Sequence, residues 1–384
     1  MLSLRWEAAA LTSTVHPLTL AALANLVRVI NSYYSNLIEG VRTSPAEIDA
    51  AMRGDWSHDP GRITSQRLAA AHVRVEEGIN DALKSDPSIS VTSSKFLRGL
   101  HRGMYEDAPA DERIVRSRRG RTSMLIPGEL RTERVDVGRH IAPSSDALLP
   151  LLARFDEAYR PEHLPEVARV MAFAASHHRL AWIHPFLDGN GRVARLASVA
   201  YARKIGLNAG GLWSIARGFA RYRDEYYARL ADADAPRHSD LDGRGALSLA
   251  ALEAWCEFVV RVSLDQIVYM RSLLAPATLA ERLRGYAVYR ATMNPVASGN
   301  ADNVVWREEA GDLLAALVTR GEMPRGAALR FLPGKERTKR AALSALLRDR
   351  VLASANHRAP IRLAFPPHAL AMLFPGLAGN DTVI

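Results

Sequence analysis

The chain has 384 residues, of which 48% are hydrophobic, and this is enough for two or three globular domains. Its single cysteine, Cys256, excludes an internal disulfide framework and favours a reducing compartment. The formal net charge of +9 excludes a strongly acidic protein, and makes the location of the basic residues the next question.

The N-terminal residues, Met1 to Glu7, lack the order of a basic and then an apolar segment that marks a signal peptide. No later run approaches the length of a membrane span. We therefore expect a cytoplasmic protein that does not associate with a membrane.

Residues 17–39 form the first predicted helix, because apolar side chains recur at spacings of three and four, and Gly40 is a good helix stop. Ser35 and Glu39 are four apart and therefore share a face of this helix. A negative charge at the C-terminal end of a helix is mildly unfavourable. From the residues alone, Glu39 is a solvated acid.

Helical periodicity continues at residues 64–84, 94–104, 148–159 and 164–183. Five arginines crowd residues 113–121, and we expect a solvated loop there. At residues 133–138, Val135 and Val137 alternate with polar residues ahead of Gly138, which predicts a short hairpin. This is the only strand signal before the C-terminal region.

Residues 184–195, His-Pro-Phe-Leu-Asp-Gly-Asn-Gly-Arg-Val-Ala-Arg, concentrate groups that suit a polyphosphate. His184 titrates near neutrality and could take a proton from a hydroxyl. Asp188 is a hard oxygen ligand suited to Mg²⁺, which binds through few carboxylates together with substrate phosphates. Gly189 and Gly191 can bring successive N–H groups to an anion at the start of a helix.

A helix is predicted from Arg192 to Lys204. Arg192 and Arg195 are three apart on one face of it, and both offer forked donors to phosphate oxygens. His177 and His178 precede His184 by seven and six residues. A metal site on one helix face needs ligands three or four apart, so we interpret both as core residues.

Residues 184–195 match the signature of the Fic family, HPFx(D/E)GNGRxxR, at every position. The chain therefore resembles the Fic-domain protein adenylyltransferases. The resemblance implies a mainly α fold, a Fic-type helical bundle with a short β-hairpin flap. It also implies ATP as substrate, Mg²⁺ as cofactor, and AMP transfer to a Tyr, Ser or Thr hydroxyl of a target protein or of the enzyme itself.

The resemblance assigns roles within the loop. His184 would be the catalytic base and Asp188 the metal ligand. The nucleotide-binding residues would be Gly189, Asn190, Gly191, Arg192 and Arg195.

Ser35 to Gly40 resembles the inhibitory motif (S/T)xxxE(G/N) of the family, in the class with an N-terminal inhibitory helix. The resemblance implies that Glu39 pairs with Arg195 and keeps this arginine from the γ-phosphate. A carboxylate on a bidentate arginine competes directly with phosphate for the same donors. The resemblance therefore implies low basal activity.

The hairpin resembles the Fic flap, which holds the target's modified segment by strand pairing. Its residues are Val135, Asp136, Val137 and Gly138. A purely structural hairpin is the alternative. In Fic relatives a tyrosine pair helps to wall the adenosine pocket, which makes Tyr226 and Tyr227 candidates. Otherwise, they are one buried and one amphipathic ring.

Beyond a boundary near residue 299, three short helical patterns (308–318, 324–331, 336–347) precede two short strands, and this order is typical of a winged helix. Ten Lys or Arg and only two acids lie between Pro324 and Arg362. Arg337, Lys339 and Arg340 are the candidate DNA contacts. A protein-binding or dimer module is the alternative.

The predicted organisation is an N-terminal helical region with the inhibitory helix (1–60), a Fic catalytic core (61–298) and a winged helix-turn-helix domain (299–384). AMP removal, or transfer of another phospho-group on the same fold, is an open alternative, because these reactions use the same residues. A DNA-binding regulator is an alternative of another class. No sequence feature identifies the target or settles whether the protein forms a homodimer.

Overall fold

The computed structural model describes residues 2–13, 15–117, 120–137, 140–293 and 306–379. Within these ranges the chain is mainly α-helical, as predicted, and the strands are short. The predicted domain boundary at residue 299 and the flap residue Gly138 lie outside the described residues. The predicted domain limits therefore stay a prediction.

The helices up to the loop after residue 183 are α1 (Leu2–Thr12), α2 (Pro17–Ile38), α3 (Pro45–Met52), α4 (Pro60–Ser85), α5 (Ser94–Tyr105), α6 (Leu148–Tyr159) and α7 (Glu166–Ile183). Those that follow are α8 (Asn190–Lys204), α9 (Ile215–Arg221), α10 (Arg223–Asp232), α11 (Leu249–Leu273), α12 (Pro276–Met293), α13 (Ala310–Arg320), α14 (Arg325–Ala328), α15 (Glu336–Arg348) and α16 (Leu370–Leu373). Several starts are locally encoded. Ser44 and Glu47 form a reciprocal capping box at α3, and Asp59 caps α4 ahead of Pro60.

Three small antiparallel sheets accompany the helices. Their strands are β1 (Ile114–Arg116), β2 (Thr122–Met124), β3 (Asp136–Val137), β4 (His140–Ile141), β5 (Glu322–Met323), β6 (Leu352–Ala353) and β7 (Ile361–Leu363). β1 pairs with β2, β3 pairs with β4, and the last three form a sheet in the order β5-β7-β6.

The chain divides into two compact units. One comprises residues 1–6, 31–208 and 213–266, and the other comprises residues 7–30, 209–212 and 267–384. In the first unit α7 packs against α8, and α4 packs against both α5 and α8. An aromatic cluster fills the space behind α7, where Trp255 is fully buried against Phe219, Tyr226 and His177.

In the second unit α12 packs against α13 and α16. From α13 onward the order of elements is helix, strand, two helices and a two-stranded hairpin. β6 and β7 fall where the two C-terminal strands were predicted, with Leu352 opposite Leu363. The assignment of this part as a winged helix stays a prediction.

Two local expectations were wrong. Residues 113–121 were expected to be a solvated loop, but Ile114–Arg116 pairs with Thr122–Met124 in a hairpin. Only two apolar residues, Ile114 and Val115, stand among the five arginines, so the strand signal in the sequence was weak. The helix predicted at residues 64–84 begins earlier, at Pro60, because Asp59 accepts the Arg62 N–H.

In the described part of the chain, no single helix is long and apolar enough to cross a membrane. Residues 3–12 and 17–38 reach that length and composition only as a bent pair. Such a pair is weak evidence, because much of the second helix is buried inside the protein.

Candidate active site

The turn between α7 and α8 carries the base at its first residue. His184 ends α7 in the left-handed conformation (φ 50°), and Pro185 cannot continue the helix. The His184 N–H still donates to the Leu180 carbonyl, at 3.1 Å, so the backbone turns away only after the last helical hydrogen bond. This turn directs the imidazole out of the helix.

The imidazole of His184 is held in one tautomer. Its Nδ1 lies 3.3 Å from the Ala181 carbonyl oxygen, which can only accept, so Nδ1 carries the proton and Nε2 keeps its lone pair. Burial lowers the pKa of His184 to about 4. The side chain is therefore a neutral base at neutral pH.

The loop keeps its shape through Asn190 and Phe186. The Asn190 amide accepts from the Phe186 N–H at 2.9 Å and donates to the Phe186 carbonyl at 2.8 Å. The Phe186 ring is fully buried and stacks on His101, with ring centroids 4.1 Å apart. In this structure the Asn190 side chain shapes the loop, and its predicted contact with phosphate stays a prediction.

The predicted helix of the loop starts two residues earlier than expected, at Asn190. Gly189 precedes it at φ 77°, and a Cβ at this position would overlap the ring of Tyr105. Gly191 and Arg192 therefore lie in the first turn, where unpaired N–H groups and the helix dipole favour an anion.

The Glu39 carboxylate occupies this position. A Cβ added at Gly191 would overlap its Oε1, so the carboxylate lies directly on the first turn of α8. Arg195, only 2% exposed, donates to the same oxygen at 2.6 Å. The predicted contact between Glu39 and Arg195 is confirmed.

The end of α2 satisfies both arginines of the signature. Arg195 also donates to the Ser35 hydroxyl and carbonyl, each at 2.9 Å, and Arg192 donates to the Asn36 side chain at 3.0 Å. Burial opposes ionisation of Glu39, but the charges of Arg195 and Arg192 outweigh it and lower the pKa of the carboxyl. Glu39 is therefore an anion seated on two buried cations.

Comparison with known proteins agrees with this geometry. Residues 91–202, which include the His184–Arg195 loop, match the Fic/DOC family. They form a Fic domain. Ser35, Glu39, Tyr226 and Tyr227 lie outside the matched segment, so their roles depend on the contacts seen in the structure.

Curated relatives match part of the chain. A protein adenylyltransferase Fic of Drosophila erecta is 40% identical over 134 residues, which are 35% of this chain and 26% of the relative. The relative of Drosophila ananassae is 39% identical over the same length. The chain thus matches about a quarter of the length of these relatives.

Solved structures share the fold. A Fic family protein from Desulfovibrio desulfuricans G20 superposes with a TM-score of 0.52 at 17% identity, covering 94% of this chain and 95% of that one. A Fic domain-containing signaling protein from Bacteroides thetaiotaomicron VPI-5482 has a TM-score of 0.54 at 18% identity, covering 71% of this chain and 97% of that one. At these identities the likeness establishes the fold alone.

Behind the Fic loop, a directed chain of hydrogen bonds joins Tyr226 to the backbone of α8 at Ala194. Tyr226 donates to Nε2 of His177, whose Nδ1–H donates to Ser198, and Ser198 donates to the Ala194 carbonyl. Burial lowers the pKa of His177 to about 3 and raises that of Tyr226 to about 12, so both are neutral. His177 and His178 are buried core residues, as predicted.

Tyr226 and Tyr227 are one buried and one amphipathic ring, 3% and 44% exposed. The Tyr227 hydroxyl donates to the carbonyl of Ile38 at 3.1 Å, and Arg223 donates to the same oxygen at 3.1 Å. Ile38 directly precedes Glu39. Two side chains of α10 therefore hold the C-terminal end of α2, a role that the sequence did not predict.

The structure describes part of the predicted flap and the predicted metal ligand, Asp188. Asp136–Val137 pairs with His140–Ile141, so the predicted hairpin exists, although Val135 lies just outside its first strand and is half-buried. Asp188 is exposed at the loop.

Four further residues contact the site and were not predicted, namely Arg131, Tyr105, Asn36 and Arg223. Asn36 was within the quoted motif and could have been found from its position four residues after Ser32, on the face that carries Ser35 and Glu39.

We predict that Tyr227→Phe loosens the end of α2. Loss of a hydrogen bond costs about 1 kcal/mol, which corresponds to about a fivefold change in local opening. The amides of Gly40 and Val41, which bond to Leu37 and Asn36, report it. Hydrogen exchange at these amides should accelerate accordingly.

Arg229→Gln is the matched control, since Arg229 lies on the same helix and pairs with Glu225 instead. Exchange that is equal in Tyr227→Phe and the wild type would contradict the prediction.

Proposed function

We propose that the protein is an autoinhibited protein adenylyltransferase, which transfers AMP from ATP to a Tyr, Ser or Thr hydroxyl of a target protein or of itself. One observation carries the proposal. A neutral imidazole with a free Nε2 stands at one end of a loop, and the other end is a helix N-terminus with two buried arginines. The relatives named protein adenylyltransferase Fic support it.

In the proposed reaction, Nε2 of His184 takes the proton of the target hydroxyl. The hydroxyl oxygen then bonds to the α-phosphorus of ATP, and the bond from this phosphorus to the bridging oxygen of the β-phosphate breaks. Pyrophosphate leaves with the negative charge. Arg192, Arg195 and the first-turn N–H groups of α8 are suited to stabilise that charge, because they are already oriented toward an anion.

Asp188 is the residue suited to Mg²⁺. In the described ranges no group of three or more His, Cys, Asp or Glu side chains could hold a metal by itself. A single exposed carboxylate fits an ion that takes most of its other ligands from phosphate oxygens and water. When bound, such an ion would neutralise charge on the departing pyrophosphate.

The proposed inhibition follows from the position of Glu39. Its carboxylate uses the Arg195 donor and the α8 N-terminus that a phosphate would need. A phosphate can bind to Arg195 and the α8 N-terminus only if the carboxylate withdraws, because two anions at one buried site repel each other. Withdrawal leaves Arg195 buried without a countercharge, which strengthens its affinity for phosphate.

We predict that Glu39→Gly raises AMP transfer at least about tenfold, because the carboxylate forms a charge-assisted hydrogen bond with the required arginine. In the same background, His184→Ala lowers transfer by about 100-fold or more. Protein labelling is measured with α-labelled and γ-labelled ATP in parallel, with Mg²⁺ and a cell lysate as the target pool.

Glu39→Gln is the matched control, as it keeps the shape of the side chain and removes its charge, and it should fall between wild type and Glu39→Gly. Equal labelling of wild type and Glu39→Gly would contradict autoinhibition. Label from the γ position would indicate phosphotransfer. A lack of label in every variant would favour AMP removal or another donor.

We also predict the pH dependence of the base. His184 acts when neutral, and because burial lowers its pKa to about 4, the base stays neutral as the pH falls below the ordinary value of 6.5. The kcat/KM of Glu39→Gly should therefore change less than about twofold between pH 7.5 and 5.5 on account of this group. A steep loss centred near pH 6.5, with circular dichroism unchanged, would contradict this assignment.

A second candidate function is duplex DNA binding by the C-terminal region. It is supported by α15, where Arg337, Ala341, Ser344 and Arg348 form one exposed stripe. Small residues between two arginines allow close approach to a polyanion. Arg340 is exposed but pairs with Glu336 at 2.9 Å, and Lys339 is half-buried at the edge of the stripe.

For this candidate we predict a salt-dependent mobility shift with duplex DNA. Replacing Arg337, Lys339 and Arg340 by Gln should weaken binding and lower the slope of log affinity against log salt by about two to three. The control replaces Arg53, Arg229 and Arg261, three exposed arginines elsewhere, which removes the same charge. Equal loss in both triple variants would make the effect one of net charge only.

A further inference from the structure

Arg131 lies just before the flap hairpin and is almost completely buried, with 4% of its surface exposed. No pattern in the sequence distinguishes it from the arginines around it. Among the residues that the structure describes, its guanidinium binds three backbone carbonyls and no carboxylate. The acceptors are His184 (from Nε, 2.7 Å), Glu133 (3.0 Å) and Pro143 (2.6 Å).

These acceptors belong to two parts of the site. Glu133 precedes the first strand of the flap and Pro143 follows the second, so one guanidinium closes the base of the hairpin. The third acceptor is the carbonyl of the proposed base itself. The backbone N–H of Arg131 donates to the neighbouring Pro185 carbonyl at 3.0 Å.

The conformation of His184 explains why its carbonyl needs a firm partner. A non-glycine residue in the left-handed region costs about 1 kcal/mol or more and persists only where its surroundings enforce it. Arg131 holds the two carbonyls that follow the turn, at His184 and Pro185. It therefore stabilises the turn that directs the imidazole outward.

The buried charge of Arg131 also indicates that its contacts with these carbonyls have a specific role. Burial lowers the pKa of Arg131, and in the described part of the chain no acid offsets it. Burial of a cation that is held only by carbonyls costs free energy, because no opposite charge replaces its lost hydration. An apolar side chain could fill the volume, but only a forked donor reaches three carbonyls at once.

We propose that Arg131 is a positioning residue that locks the base of the flap to the backbone of His184. This proposal rests on the proposed adenylyltransferase function, in which the flap presents the target hydroxyl to His184. Arg131 then sets the distance between the hydroxyl and Nε2. The hydrogen bonds of Arg131 in the described part of the chain go to His184, Pro185, Glu133 and Pro143, and none goes to α8 or Arg195.

The test compares Arg131→Met and Arg131→Lys, each in the full-length Glu39→Gly protein. We expect single-turnover labelling from α-labelled ATP, with the lysate target pool, to fall by about 10- to 100-fold, since misplacement by about 1 Å has that effect. Affinity for a non-hydrolysable ATP analogue should change less than about twofold. Arg131→Lys should resemble Arg131→Met, because lysine keeps the charge and loses the fork.

Arg98→Gln is the matched control. Arg98 donates to the Gly128 carbonyl at 2.7 Å and to Glu129, in the same segment, but does not touch the loop. It should transfer at the parent rate. An Arg131 variant that transfers AMP at the parent rate would overturn the proposal. A variant whose affinity for the ATP analogue falls in proportion to its rate would also overturn it, because that result indicates a general structural role.

A measurement without turnover separates this proposal from the function on which it rests. Hydrogen exchange at the amides of His184, His140 and Ile141 should accelerate in Arg131→Met and stay unchanged in Arg98→Gln. If Glu39→Gly transfers no AMP, the proposed function fails, and the exchange data still decide whether Arg131 joins flap and loop. Unchanged exchange in Arg131→Met would overturn the proposal.

Discussion

The buried guanidinium of Arg195 is the constraint on which the site depends. It lies beside the positive end of α8, so two sources of positive charge converge in a space that excludes water. Such a place is stable only when an anion is present. In this structure Glu39 is that anion, and Ser35 accepts two further hydrogen bonds from the guanidinium. In the proposed function, inhibition by Glu39 and phosphate binding are therefore alternative ways to neutralise the same positive charge.

The opposite end of the loop, at His184, is organised by neutral side chains together with one buried cation, Arg131, which donates to the His184 carbonyl. Asn190 fixes the turn through Phe186, Phe186 stacks on His101, and Ala181 selects the tautomer of His184. Burial lowers the pKa of both His184 and His101 to about 4, so neither carries charge at neutral pH. The twelve-residue segment therefore has a neutral imidazole at one end, and the positive N-terminus of α8 with two buried arginines at the other.

The sequence predicted this site well because the loop has a long and specific order of residue types. The helices before it were predictable from their spacing, and the contact between Glu39 and Arg195 followed from the family resemblance. Arg131 was not predictable, since a buried arginine bound by carbonyls leaves no periodic or paired signature. The β1–β2 hairpin was missed because its strands show no alternation of apolar and polar residues, and five arginines dominate the segment. Contacts between a side chain and backbone atoms depend on the path of the chain, so they cannot be predicted from the types of residue alone.

The left-handed turn at His184 has a consequence for stability. Glycine would adopt this conformation without cost, whereas histidine pays about 1 kcal/mol for it. The folded chain therefore has local backbone strain at His184, the residue proposed as the catalytic base. In the proposed function, a residue at position 184 that relaxes this turn stabilises the fold and removes the base.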